Sequence, residues 1–237
     1  MLSSLSWYVR NLPYLVSTMG RMRGVFDRTC NICLYEGRFG AFGSPPRFDA
    51  QCPGCGSLER HRHLFLWLYE NEANLARYSV LHFAAEAILA SYLRMKARSY
   101  RSADLRPGAG DVVMNIEAID APDASVDMVV CNHVLEHVDY KRALSEIHRI
   151  LAPSGLAIFT FPYVAGWDAT YENPAVTDEN QRVLHFGQND HVRFFGTDVR
   201  DRIREAGFEI EELTAMEPAV HRHGLLRGDK IFVSRKR

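Results

Sequence analysis

Four cysteines stand in two pairs, Cys30-Asn-Ile-Cys33 and Cys52-Pro-Gly-Cys55, with eighteen residues between Cys33 and Cys52. Two cysteines separated by two residues turn both sulfurs to one side of a tight knuckle. Two knuckles supply four thiolates at tetrahedral corners for Zn²⁺. Pro53, Gly54 and Gly56 suit a tight second knuckle. The reading is a zinc ribbon in which Cys30, Cys33, Cys52 and Cys55 fill every position, so the ion is structural and has no open place for chemistry. Two redox pairs are the alternative, but a redox motif opens a helix after a strand, and the first pair has no such setting. The fifth cysteine, Cys131, lies in an apolar run and reads as a small buried hydrophobe.

A second chemistry-bearing run is His185-Phe-Gly-Gln-Asn-Asp-His-Val-Arg193, preceded by Trp167, Tyr171, Glu172, Glu179 and Arg182. An imidazole whose ordinary pKa lies near neutrality suits general-base work. His191 is the leading candidate, with Asp190, Arg193 and His185 to orient it or a substrate. Asp190, His191 and Arg193 equally suit hydrogen bonds that lock a loop. Behind the second knuckle, Ser57-Leu58-Glu59-Arg60-His61-Arg62-His63 puts arginines in a first helical turn, against the helix dipole, so a compensating partner is expected. Arg60 or Arg62 bridging ribbon and core is favoured over a phosphate site.

The elements that must position these groups follow from periodicity. Residues 1–27 read as a helical arm packed on the domain, with a membrane-surface anchor as the lesser alternative. Residues 28–56 are the Gly-, Pro-, Cys- and Arg-rich ribbon, and 57–237 form the main domain. Ser57 is a plausible N-cap for a helix through LERHRHLFLWLYENEANLARY. Strands are predicted at YSVLHF, SYRSADL, DVVMNI, VDMVVCNH, LAIFTFP, FEIEEL and KIFVSRK. Helices are predicted at AEAILASYLRMKA, at DYKRALSEIHRILAPSG with a stripe of Ala143, Leu144, Ile147 and Leu151, and at TDVRDRIREAG, stopped by Gly207. Strand–helix alternation gives an α/β fold with a mainly parallel sheet covered on both faces. A polar insertion, 163–196, interrupts it after the fifth strand.

The stretch from Val80 to Pro162 resembles class I methyltransferases of the type-11 kind. Asp127-Met-Val-Val-Cys-Asn-His-Val-Leu-Glu-His-Val138 is similar to that family's fourth strand and turn, and Arg149-Ile-Leu-Ala-Pro-Ser-Gly155 to its loop before the fifth strand. The ribbon, CGSLERHR and FGQNDHVRFFG together resemble a bacterial subgroup with this zinc-bearing layout. The resemblance implies a Rossmann-like, doubly wound, mainly parallel sheet with an antiparallel last strand, and S-adenosyl-L-methionine bound at the C-terminal ends of the parallel strands. It implies Asp104 on the ribose hydroxyls, Asn115 on the adenine amine, Ile116 against the ring, and Asn132 and His133 near the methionine half. The first turn, Leu81-His82-Phe83-Ala84-Ala85-Glu86-Ala87, departs from the family's glycine-rich pattern. Ala84 stands where glycine is usual, and Glu86 is offered as a contact for the ammonium group or ribose. Methyl transfer requires an aligned acceptor and, for a hydroxyl, a base. His191 is first choice, His133 the backup and Asp190 the orienting group, with the insertion covering the acceptor pocket. Glu136 is expected to pair with Arg142.

The chain has 237 residues, 47% hydrophobic, with a net charge of −1. No bulk field draws nucleic acid or anionic membrane, and no apolar run reaches the ~20 residues of a membrane span. The expectation is a cytoplasmic methyltransferase acting on oxygen or nitrogen of a small molecule or sugar. The rivals are a catalytically impaired, methyltransferase-like binding protein, and a nucleic-acid methyltransferase whose ribbon grips RNA. Oligomeric state is left open.

Overall fold

The computed structural model describes residues 11–14, 16–20, 22–43 and 45–237. The start of the expected arm, residues 1–10, lies outside them. Residues 11–14 and 16–20 are helical, but Leu12, Tyr14, Val16 and Met19 are exposed. The chain divides into two compact units, one of residues 1–70 and 215–229, the other of 71–214 and 230–237. The helix after the ribbon and the 215–229 segment fall in the same unit as residues 28–56.

In the first unit, β1 (Asp27–Thr29) pairs with β2 (Glu36–Arg38) and β3 (Gly40–Phe42) with β4 (Arg47–Gln51), both antiparallel. Helix α1 (Glu59–Glu70) begins two residues after Ser57, so Ser57 is not its N-cap. Instead Leu58 donates its N–H to His61 Nδ1 at 3.2 Å. Arg62 is completely buried. It donates to the carbonyls of Ser57 (2.5 Å), Ala50 (2.8 Å), His223 (2.7 Å) and Gly224 (2.7 Å), and its guanidinium lies 4.6 Å from the Phe39 ring centroid. The expected bridging arginine is therefore Arg62, and its partners are backbone oxygens of the ribbon and of the 215–229 segment. A planar fork with five donors can satisfy several carbonyls at once, which a lysine cannot.

The second unit contains a seven-stranded sheet of order β12-β13-β9-β8-β5-β6-β7. Its strands are β5 (Ser79–Phe83), β6 (Ser99–Asp104), β7 (Val112–Val113), β8 (Val126–Asn132), β9 (Leu151–Thr160), β12 (Phe208–Thr214) and β13 (Lys230–Lys236). They are the seven predicted from sequence. β5, β6, β7, β8 and β9 are joined by parallel pairings, and β13 runs antiparallel to both β9 and β12. The α/β, mainly parallel, doubly wound reading holds. The strand predicted at DVVMNI shrinks to Val112–Val113, and Asp111 before it accepts from Ser102 N (2.8 Å) and Oγ (2.9 Å).

Helices of this unit are α2 (Glu72–Leu75), α3 (Ala87–Lys96), α4 (Tyr140–Ile150), α5 (Glu179–Phe186) and α6 (Val199–Glu205); α7 (Ala219–His223) belongs to the first unit. α4 buries Tyr140, Ala143, Leu144, Ile147 and Ile150 at helical spacing. Asp139 caps it, accepting from Lys141 N and Arg142 N. The helix ends at Ile150 and Leu151 already pairs with Val126, so the predicted stripe runs one residue too far. A Cβ on Gly155 would meet Ala152 O at 2.8 Å and Asp127 O at 3.1 Å, which fixes glycine in this loop. In the insertion, β10 (Tyr171–Glu172) pairs with β11 (Arg193–Phe194). Among the described residues, no helix is long and apolar enough to cross a membrane.

Candidate functional site: a strand-end crevice and a four-cysteine cluster

The chain passes from β5 outward through β6 and β7, then returns to the other side of β5 with β8 and β9. The strand order therefore reverses between β5 and β8, and the crevice beyond their carboxyl ends is where open α/β sheets bind ligands. The residues at those ends are Ala84 to Glu86 after β5, Asp104 closing β6, and Asn132 with His133 closing β8.

A buried polar chain lies directly beneath the crevice. The Tyr100 hydroxyl is 3.1 Å from His82 Nδ1, and His82 Nε2 is 3.3 Å from Glu86 Oε2. Asn132 Nδ2 donates to the same Glu86 oxygen at 3.3 Å, and Thr160 Oγ1 donates to Asn132 Oδ1 at 3.1 Å. With Tyr100 donating to Nδ1 and Nε2–H donating to Glu86, each member is satisfied by its neighbour. Burial pushes the Tyr100 hydroxyl's pKa up, so it stays a donor. This chain links β6, β5, β8 and β9. His82, Tyr100 and Thr160 were not singled out from sequence; the signal was a histidine inside the otherwise apolar strand SVLHF.

The glycine-free turn keeps the geometry that glycine usually supplies. Ala84 has φ +46°, is exposed, and donates its N–H to Ala103 O at 2.9 Å. An L-residue in this region costs roughly 1–2 kcal/mol. Glu86 precedes α3 without capping it. Burial pushes the Asp104 carboxyl up, but bonds from Arg106 N (2.8 Å) and Nε (3.3 Å) outweigh it and hold the group below its usual range. Asn115 is exposed and accepts from Glu117 N at 2.9 Å. Ile116 is buried in the core cluster beside the sheet.

His133 also has a positive φ, +51°, and its Nδ1 lies 3.1 Å from Oε1 of the fully buried Glu136. Arg142 pairs instead with Asp139 at 3.6 Å. The insertion is pinned to this turn: Val192 N donates to Glu136 O at 3.0 Å, and Arg193 Nη1 donates to Leu135 O and Val138 O, each at 2.6 Å. Arg193 also reaches Glu172 at 3.1 Å. His191 is only 3% exposed, with Nδ1 3.1 Å from Phe186 O. Burial pushes its pKa down, so the ring is neutral. Asp190 lies against His137, whose Nδ1 is 3.2 Å from the Asp190 carbonyl. His185 stacks on Tyr171, with Nδ1 2.6 Å from the hydroxyl.

In the first unit, the four predicted cysteines come together, with all four sulfurs within 4.8 Å of one another. The short separations cross between knuckles, 3.7 Å for Cys30–Cys55 and 3.6 Å for Cys33–Cys52. A tetrahedron with Zn–S bonds of about 2.3 Å has edges near 3.8 Å, so the donor set fits that ion. Burial opposes the Cys30 thiolate, but N–H groups of Cys33 and Ile32 and the Ser57 hydroxyl bring its pKa down to about 7. Cys131 is fully buried in β8, and burial pushes its thiol well up.

Residues 54–159 match the family model described as Methyltransferase domain. The sheet shares the Rossmann-like fold of the solved structures it aligns with. An S-adenosylmethionine-dependent methyltransferase from Mesorhizobium loti aligns at TM-score 0.52 and 14% identity over 72% of this chain and 97% of its own. The YcgJ protein of Bacillus subtilis aligns at 0.51 and 15% over 75% and 99%. The [4+2]-cyclase SpnF aligns at 0.54 and 14% over 98% and 94%, so this fold carries more than one reaction. Methyltransferase AacuQ of Aspergillus aculeatus is 39% identical over 71 residues, 30% of this chain; that stretch spans 22% of the relative's length.

Proposed function

We propose that this protein is an S-adenosylmethionine-dependent methyltransferase acting on oxygen or nitrogen of a small molecule or sugar, with a structural zinc in its four-cysteine cluster. The observation that carries the reading is the switch-point crevice between β5 and β8, rimmed by two carboxylates, Glu86 and Asp104. A ligand with a vicinal diol and an ammonium group needs such acceptors: two carboxylate oxygens take a pair of ribose hydroxyls, and a second carboxylate takes the ammonium. Asp104 is assigned the ribose, Glu86 the ammonium, and Asn132 the methionine half. Asn115 is assigned the adenine amine, with Ile116 supporting the floor beneath it. Ala84 brings the backbone close by its positive φ. Bound S-adenosylmethionine supplies an electrophilic methyl and a neutral thioether leaving group.

The protein's own task is to align the acceptor and take its proton. His133 suits this better than His191. It stands at the strand end, its side chain is 35% exposed, and Glu136 holds its Nδ1–H, leaving the Nε2 lone pair for an acceptor hydroxyl. Pinned to the 133–138 turn, the 163–196 insertion walls the pocket, with Asp190 orienting His137. The near-neutral charge and the conventional crevice argue against RNA as acceptor, and the intact polar chain beneath the crevice argues against an impaired binding protein. A reducing, cytoplasmic setting fits four thiols held for zinc.

The test is calorimetry with S-adenosylmethionine and S-adenosylhomocysteine, followed by turnover on a panel of hydroxylated and amino small molecules. Micromolar or tighter binding is expected. No binding of either compound overturns the reading in favour of a methyltransferase-like binding module, and a salt-dependent shift of RNA revives the nucleic-acid alternative.

A further inference from the structure

Glu136, His137 and His191 form a second cluster, unused as a set by the mechanism above. One ligand atom from each lies within 4.8 Å of the other two. Glu136 is fully buried, and among the described residues its Oε2 has no hydrogen-bond partner while Oε1 faces His133 Nδ1. Buried carboxylate oxygens are rarely left unpaired, and each such atom calls for a partner. The two histidine rings stand edge to face with centroids 4.7 Å apart. Each is held from its Nδ1 side, His191 by Phe186 O at 3.1 Å and His137 by Asp190 O at 3.2 Å. A neutral ring that donates Nδ1–H to a carbonyl carries its lone pair on Nε2. That backing is the arrangement which orients metal-bound histidines. The two segments are also fixed to each other by the Val192 N–H to Glu136 O bond, 3.0 Å.

We propose that Glu136, His137 and His191 bind a divalent transition-metal ion of the zinc type. Two imidazoles and one carboxylate select such an ion over magnesium or calcium, which prefer all-oxygen shells. Modest side-chain rotation brings three ligand atoms to the edges of about 3.3 Å that metal–ligand bonds near 2.0–2.1 Å require. Three protein ligands leave a fourth position open, next to His133. That position takes water or the oxygen of an acceptor, and the ion lowers the pKa of whatever oxygen it holds. The ion's role toward an acceptor rests on the methyltransferase reading; its presence does not.

The test counts metal by a readout that separates the two clusters. The protein is produced with Co²⁺ as the metal, and cobalt per chain is measured together with the visible and near-ultraviolet spectrum. A thiolate site gives intense sulfur-to-cobalt bands; the nitrogen–oxygen site gives only weak ligand-field bands. Two cobalt ions per chain are expected in the wild-type protein. Glu136→Gln and His191→Asn should each lose one ion and keep the thiolate bands. His137→Asn, at a half-buried position, should do the same while the protein stays folded, so the loss of the ion is not a loss of the fold. A single ion carrying only thiolate bands in the wild-type protein overturns the proposal, as do variants that retain both ions. Calorimetry with S-adenosylhomocysteine on the same samples reports the methyltransferase reading separately.

Discussion

The Glu86 carboxylate accepts from Asn132 Nδ2 at 3.3 Å, tying the turn after β5 to the end of β8 across the point where strand order reverses. The same oxygen takes His82 Nε2, so the rim of the crevice rests on a buried histidine. Glu86 is thereby held in one orientation before any ligand arrives. Pre-ordered contacts of this kind lower the entropy cost of binding.

Asp104→Ala should weaken S-adenosylmethionine binding by roughly ten- to a hundredfold, the loss of about 1.5–3 kcal/mol that a hydrogen bond to a charged group contributes. Calorimetry reads this directly. An unchanged Kd would remove Asp104 from the ribose site.

Protein purified without added metal should carry zinc bound by Cys30, Cys33, Cys52 and Cys55. Cys52→Ser should release that ion and destabilise the first unit, because the cluster is a main source of order where β1 to β4 are only three to five residues long. Elemental analysis with thiol titration checks it; four reactive thiols in a stably folded protein would exclude the ribbon ion.

For an oxygen acceptor, His133→Ala should lower turnover by about 10²–10⁴ while leaving cofactor affinity near wild type. Glu136→Gln should shift the pH–rate profile, since it changes the group that holds the His133 ring. If His191→Ala costs more rate than His133→Ala even with metal saturation, the base is His191.

Folding stability should fall as pH drops below about 6.5. Burial depresses the pKa values of His191, His148 and His223 below the ordinary 6.5. In the window between those folded values and 6.5 the unfolded chain binds more protons, so stability is complete above the window and lost through it. Urea midpoints at pH 7.5 and 5.5 measure the effect, and His191→Gln should flatten it. Equal midpoints would contradict buried neutral rings.

Ala84→Gly should stabilise the second unit by about 1 kcal/mol, or raise Tm by about 2–4 °C, because glycine adopts the φ of +46° without strain. A lower Tm would mean that the alanine methyl packs in a way that outweighs its backbone cost.

The sequence by itself determined the seven strands, a mainly parallel sheet and the four-cysteine cluster. Each rests on a local property: apolar runs bounded by polar ends, a helix period around Ala143, Leu144 and Ile147, and two tight knuckles. It also placed Asp104, Asn132 and His133 at strand ends, since a strand's end is visible where the apolar run stops. Only the tertiary structure decided what those residues face. Arg62, read as a charge opposed to a helix dipole, is the buried donor for four backbone carbonyls, three of them far along the chain or across the ribbon. His82 looked like an interruption of a strand and is the middle of a polar chain spanning four strands. Glu136, expected against Arg142, faces His133 instead, three residues back in the turn after β8. His191, chosen for the density of polar residues around it, is buried against His137 by bonds from an insertion that no local pattern could dock. Periodicity reports which face of an element is apolar; which partner a buried polar atom finds depends on strands and loops distant in sequence, and that is settled only when they pack.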